Sequence, residues 1–248
     1  MKKQIIILAA GKGTRMKSEL PKVMHKIGGE SMLARVMSNC SKSTDAKSTN
    51  DLVLVYSEHL EPYLSELQFK GKLVLQEEQL GTAHAVSVAK NHFKKDAYIA
   101  VIYGDSPLIT NDIIEGLFQH CRENDSKATT LAFEYDKENQ YGRIVVDERG
   151  NFQKIIETKF ANEDEKKITL CNSGVMVFAP GILRQYIDQC LITDEQNPQK
   201  EFYLTEIIEL CQKCGEKVSF FLTNHSNLVV GVNTQDELAS ANLSLQKD

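Results

Sequence analysis

Three continuous apolar runs mark the first half of the chain: Ile5-Ile6-Ile7-Leu8, Leu52-Val53-Leu54-Val55 and Ala97-Tyr98-Ile99-Ala100-Val101-Ile102. Runs without polar alternation suit strands covered on both faces, as in a parallel sheet. Helical patterns separate them. Met32, Leu33, Val36 and Met37 recur on one face, as do Ile113, Ile114, Leu117, Phe118 and Cys121, with Thr110 placed to cap the second helix. This alternation predicts βαβ units with right-handed crossovers, and ligands in such sheets bind beyond the carboxyl ends of the strands.

The second half changes character. Residues 129–135, 144–146 and 152–156 read as shorter strands, and Asp147-Glu148-Arg149-Gly150-Asn151 as the turn of a hairpin. A strand over 170–178 is interrupted at Gly174. Helices are expected over about 182–190 and 204–213, the latter closed by Gly215, then a strand over 228–232. Thr234-Gln235-Asp236-Glu237 fits a capping box opening a final helix. The expected class is α/β: a mixed, mostly parallel central sheet flanked by helices, with a small β-rich subregion, in a single domain over 1–248.

Composition narrows the function. At 42% hydrophobic and 25% charged residues the chain is not disordered. With 29 basic against 34 acidic residues and a net charge of −5, it lacks the basic surplus of a nucleic-acid binder. The apolar run from Ile5 to Ala10 is too short for a signal peptide, and no stretch approaches the roughly 18 apolar residues of a membrane helix. A soluble, cytoplasmic protein without a membrane partner is expected. The cysteines are scattered, and Cys211-Gln212-Lys213-Cys214 has no second pair; ordinary thiols are expected, with no zinc and no disulfide.

The sharpest local feature is Leu8-Ala9-Ala10-Gly11-Lys12-Gly13-Thr14-Arg15-Met16, directly after the first apolar run. Gly11 and Gly13 let backbone N–H groups approach an anion, and Arg15, with Lys22 after Pro21, adds positive charge. On the glycines alone, a plain strand-to-loop turn with solvated bases explains the segment as well. It is not a dinucleotide fingerprint, which needs Gly where Met16 stands, and no Walker A string occurs. Tyr103-Gly104-Asp105 closes the third run, where an Asp projects into the ligand crevice and suits a hard cation such as Mg²⁺, while Gly104 permits close backbone approach.

Taken in order, Leu8–Met16, Pro21-Lys22, Gln76 with Gln79-Leu80-Gly81-Thr82, Tyr103-Gly104-Asp105, Tyr141-Gly142-Arg143, Glu157 with Lys159, Asn172-Ser173-Gly174 and Gly231-Val232-Asn233 resemble the sugar-phosphate nucleotidyltransferases. Among these, the chain is most similar to the uridyltransferase domain of the bacterial bifunctional N-acetylglucosamine-1-phosphate uridyltransferases/glucosamine-1-phosphate acetyltransferases. The resemblance runs from about Ile5 to Ala241. It implies a Rossmann-like nucleotidyltransferase fold with a nucleotide-binding half (about 1–110) and a sugar-binding half (about 111–248). It implies Mg²⁺-dependent synthesis of UDP-N-acetylglucosamine, a precursor of peptidoglycan and lipopolysaccharide, from UTP and N-acetylglucosamine 1-phosphate.

The implied roles follow the motifs. Leu8, Ala9, Gly11 and Gly13 would hold the nucleotide, with Gln76, Gly81 and Thr82 at the uracil edge. Arg15 and Lys22 would be catalytic, binding the triphosphate as pyrophosphate leaves, and Asp105 and Asn233 would ligate Mg²⁺. Gly142, Glu157 and Asn172 would position the amino sugar, with Tyr103 and Gly104 lining its pocket. His84 reads as structural. The chain departs from the family pattern at Lys200, where Gly is usual, at Glu206 for Asp, at Phe160 for Asp and at Gln235 for Arg. It ends after the final helix, so no left-handed β-helix acetyltransferase domain is expected, and a monomer or weak homodimer is. A relative acting on another sugar 1-phosphate or nucleotide, and a non-catalytic sugar-nucleotide-binding module, stay open as alternatives.

Overall fold

The computed structural model of the chain describes residues 1–44, 51–136, 139–192 and 201–245. Its frame is a nine-stranded sheet. In chain order the elements are β1 (Lys3–Ala9), a two-strand hairpin β2 (Lys26–Ile27) and β3 (Glu30–Ser31), α1 (Met32–Ser43), β4 (Leu52–Tyr56), β5 (Lys72–Leu75), α2 (Thr82–Ser87), β6 (Tyr98–Tyr103) and α3 (Asn111–Glu123). Then come β7 (Ala128–Glu134), β8 (Gly142–Val146), β9 (Phe152–Ile156), β10 (Leu170–Phe178), α4 (Ile182–Tyr186), α5 (Glu206–Lys213), β11 (Val218–Leu222), α6 (Ser226–Val229) and α7 (Gln235–Ser244).

The sheet order is β11-β7-β10-β6-β1-β4-β5, with the β8–β9 hairpin branching from β10. β1 runs parallel to β4 and β6, and β4 to β5; β10 is antiparallel to β6 and β7. The mixed, mostly parallel Rossmann-like sheet is therefore observed. The apolar runs explain it physically. Side chains alternate between faces along a strand, so Ile6 and Leu8 join one core layer while Ile5 and Ile7 join the other. A strand buried on both sides favours a near-continuous apolar run, and Ile5, Ile6 and Ile7 are wholly buried. α1 and α3 cover one face, capped by Ser31 and Thr110 as side-chain acceptors. Among the described residues no helix is long and apolar enough to cross a membrane.

Several expectations change. Residues 228–232 form no strand: α6 occupies their start, and the Gly231 and Val232 N–H groups bond to Tyr141 and Asp105 rather than to a ladder. The run is apolar because Val229 and Val232 are buried. The helix expected over 182–190 splits into α4 and a 3₁₀ turn at Gln189–Leu191, although Ile182, Leu183, Tyr186 and Cys190 still share a buried face. β10 is continuous, and the interruption at Gly174 is a register shift between Asn172 and Met176. β5 and β11, edge strands of half-exposed residues, carry too little pattern to be read from sequence. Lys200 lies outside the described residues.

Candidate active site

The loops at the carboxyl ends of β1 and β6 meet the entry to α7. Gly104 N–H donates to the Leu8 carbonyl (2.9 Å) and Val232 N–H to the Asp105 carbonyl (2.8 Å), so backbone alone ties three distant segments together. Pro21 starts the 3₁₀ turn Lys22–Met24 that carries Lys22. The neighbouring Gly13 has φ +61°, and a Cβ there would stand 2.6 Å from the Lys22 Cβ; glycine is what lets the two segments touch.

Four side chains converge at this junction. The Lys22 ammonium pairs with the Asp105 carboxylate and donates to Asn233 Oδ1 at 2.9 Å. Arg15 reaches the same Asn233 oxygen through Nη2 (3.0 Å), while its Nη1 donates to Gln140 Oε1 (3.1 Å). The α7 capping box holds Asn233 in place: Thr234 caps the helix, and Glu237 accepts the Asn233 N–H at 2.6 Å. All four residues expected to act on phosphate and metal are thus brought together.

The metal question can be put to the donor set. Asp105 and Asn233 direct two oxygens at one positive centre, the Lys22 ammonium, so the geometry already accepts a cation between them. Among the described residues there is no group of three or more His, Cys, Asp or Glu that could enclose a metal. One carboxylate and one carboxamide match Mg²⁺, which is held by one or two protein carboxylates and completed by water and substrate phosphates.

A cavity of about 240 Å³ opens beside this cluster, lined among others by Leu8, Gly11, Gln76, Thr82, Tyr103 and Asp105. Gln76 is buried there, its amide nitrogen 3.0 Å from His84 Nδ1. His84, in the first turn of α2, therefore fixes the side chain expected to read a base. Gly81 has φ +107°, and a Cβ would lie 2.4 Å from the Phe202 carbonyl oxygen, so only glycine fits. Residues 202–204 strap this corner. Phe202 N–H donates to Leu80, Ala83 N–H to Phe202, and Leu204 N–H to the Thr82 hydroxyl at 2.9 Å.

The expected sugar residues gather on the β8–β9–β10 side. Gly142 lies opposite Asn172 in the β8–β10 register. Asn172 Oδ1 accepts from the Thr130 hydroxyl (2.5 Å) and from Gly174 N–H (3.0 Å), which leaves its NH₂ for a ligand. The Tyr103 ring packs against Gly174, and burial pushes its phenol pKa up. Glu157 Oε1 accepts from the Thr205 hydroxyl at 3.0 Å. Burial raises its carboxyl pKa, the Thr205 bond and Lys159 working against that rise. Glu206 stands in α5 with its pKa likewise raised by burial, and Phe160 is an exposed ring beside the Lys159 ammonium.

Gln140 and Thr130 are the parts that sequence reasoning passed over, while His84 keeps the structural role expected of it by holding Gln76. Register is the only signal that could have found Thr130, and nothing in the local sequence marks Gln140.

Comparison with known proteins assigns the family. A model described as a MobA-like NTP transferase domain matches residues 5–200. The chain belongs to this family. Of the curated relatives, the Bifunctional protein GlmU of Lactococcus lactis subsp. lactis (strain IL1403) is 39% identical over 248 residues, covering 100% of this chain and 53% of that protein. The Bifunctional protein GlmU of Alkaliphilus metalliredigens (strain QYMF) is 36% identical over 247 residues, again covering 100% and 53%. This MobA-like chain thus spans about half the length of the curated relatives it matches. Solved structures share its fold at 19% identity. One, from Bacillus anthracis, described as a candidate glucose-1-phosphate thymidylyltransferase in complex with a sucrose, has a TM-score of 0.74 over 99% of this chain and 95% of its own. Another, a CMP:2-keto-3-deoxy-manno-octonic acid synthetase complexed with CTP, has a TM-score of 0.70 over 100% and 99%.

Proposed function

We infer that the chain transfers a uridylyl group from UTP to N-acetylglucosamine 1-phosphate, giving UDP-N-acetylglucosamine and pyrophosphate. The observation that carries this reading is the convergence of Arg15, Lys22, Asp105 and Asn233 beside a cavity lined by Gln76, Gly81, Thr82 and Tyr103. A nucleotidyltransferase uses such a cluster of two cations, a carboxylate and a carboxamide, because its substrates bring crowded negative charge.

A phosphate oxygen of the sugar 1-phosphate is already an anion, so it attacks the α-phosphorus without a strong base. As the new P–O bond forms, the bond to the bridging oxygen breaks, and pyrophosphate departs with that electron pair. Lys22 and Arg15 neutralise charge accumulating on the phosphates, and their internal partners are the ones the substrate displaces. Asp105 and Asn233 would hold Mg²⁺, which supplies further charge neutralisation when bound. Gln76, fixed by His84, contributes a base-reading edge, and the Asn172 NH₂ and Glu157 carboxyl meet sugar hydroxyl and acetamido groups. No nucleophilic Ser or Cys takes part. Five of the six cysteines are buried, with burial pushing the Cys190 and Cys211 thiols up to about 12. A cytoplasmic setting, with its nucleoside triphosphates, belongs to this reading.

The test is pyrophosphate release in Mg²⁺ and UTP with N-acetylglucosamine 1-phosphate, glucosamine 1-phosphate and glucose 1-phosphate in parallel, repeated with dTTP and CTP. Preference for UTP and the N-acetylated sugar is expected. Faster turnover of another pair keeps the mechanism and replaces the substrate.

A further inference from the structure

Arg15 is held from two sides. Asn233 takes Nη2, and Gln140, on the connection between β7 and β8, takes Nη1. Gln140 is exposed, but its backbone is anchored. The buried Arg143 guanidinium donates to the Asn139 side chain (2.8 Å) and to the Tyr141 carbonyl, Tyr141 N–H donates to Asn139 Oδ1 (2.9 Å), and the Thr158 hydroxyl also donates to the Tyr141 carbonyl. On the far side the Tyr141 hydroxyl accepts from Gly231 N–H at 3.0 Å, two residues before Asn233. Residues 139–141 therefore span the cleft, touching Arg15 with one side chain and the Asn233 loop with the next.

We propose that Gln140 is a positioning residue for the phosphate-binding arginine, parking Arg15 beside Asn233 before the nucleotide arrives and releasing it to the triphosphate; this rests on the nucleotidyltransferase reading above. The chemistry of the side chain matters. A neutral carboxamide makes an ordinary hydrogen bond, enough to limit the rotamers of a long flexible side chain and weak enough to yield to phosphate oxygens. A carboxylate at the same place would make a charge-assisted pair with Arg15 and repel the phosphates. An apolar side chain would leave Arg15 unguided.

The experiment combines UTP titration by calorimetry in Mg²⁺ with steady-state kinetics, on the native chain, Gln140→Ala, Gln140→Glu, Arg15→Ala and the Arg15→Ala/Gln140→Ala double variant. Gln140→Ala is expected to weaken UTP binding about threefold to fivefold. Gln140→Glu should weaken it at least tenfold, by a margin that shrinks as salt rises. Both should keep the sugar-phosphate KM within twofold and the melting temperature unchanged. In the Arg15→Ala background the Gln140→Ala effect disappears, since interacting residues are not additive. UTP affinity within twofold of native in both single variants, Gln140→Glu binding no worse than Gln140→Ala, or an undiminished Gln140→Ala effect without Arg15 each overturn the proposal. With a native chain that turns over UTP, those results defeat this inference alone; a native chain that binds no nucleotide defeats it together with the functional reading.

Discussion

At the end of the cleft proposed for phosphate the polar side chains are mostly charged, partly exposed and bonded to one another; at the end proposed for sugar, Asn172 and Thr130 are buried, and fixed neutral donors hold Asn172 and the half-buried Glu157. Lys22, Asp105, Arg15 and Asn233 form one continuous network in which each group is another's partner. Asn172 is 5% exposed and Thr130 fully buried, and Glu157 leans on a Thr205 hydroxyl. On the proposed function the difference follows from the ligands. A triphosphate brings enough charge to displace internal ion pairs, so the phosphate end can neutralise itself until substrate arrives. A sugar brings only hydroxyl and amide groups, which cannot repay the exposure of unpaired buried groups, so the sugar end has to be built in advance.

The strongest test of this division is Asp105→Ala. Turnover should fall at least about 100-fold, near 2.7 kcal/mol of transition-state stabilisation. The melting temperature should hold, because the bond tying Asp105 to Val232 uses the Asp105 backbone carbonyl. Activity within tenfold of native would remove Asp105 from the phosphate chemistry. Lys22→Ala comes next, with kcat expected to drop at least about tenfold, or 1.4 kcal/mol. Were the loss confined to the sugar-phosphate KM, Lys22 would move to the other end of the cleft.

The sugar end should respond differently. Thr130→Val keeps the shape but leaves Asn172 Oδ1 with Gly174 N–H as its one remaining donor. A stability cost of about 1 kcal/mol is expected, together with a higher sugar-phosphate KM and unchanged UTP binding by calorimetry. Equal losses for both substrates would break the comparison. Glu157→Gln gives the smallest effect. Because burial raises the Glu157 pKa above its ordinary 4.5, folding favours the protonated acid. Stability from that preference is present below about pH 4.5 and fades as pH rises through the raised value. The Gln variant should therefore melt slightly above native near neutral pH, with the gap closing in acid. A constant gap at every pH would place the burial effect elsewhere.

Legibility divided along similar lines. The phosphate-end residues stand next to the strongest local patterns: Leu8 closes an unbroken apolar run that Gly11, Arg15 and Lys22 follow, Asp105 follows another, and Asn233 precedes a capping box. The sugar-end residues sit on short strands whose polar positions look like ordinary solvated faces. Only their joint occurrence with the other motifs singled them out. Gln140 and Thr130 left no local trace, because their importance is a partner: Arg15 lies 125 residues away from Gln140 and Asn172 lies 42 from Thr130.

Sequence by itself determined that β1, β4 and β6 are buried on both faces, because a continuous apolar run has no polar face to turn to solvent. It also determined where helices start and where backbone must come close, because caps and glycines act over a few residues. Tertiary structure decided the rest. It turned the apolar stretch at 228–232 from a strand into a tether for Asp105, ran β10 against its neighbours, and joined Arg15, Lys22, Asp105 and Asn233 into one network. Those outcomes depend on which hydrogen-bonding groups meet across the fold, and no local pattern encodes a partner that folding alone brings within 3 Å.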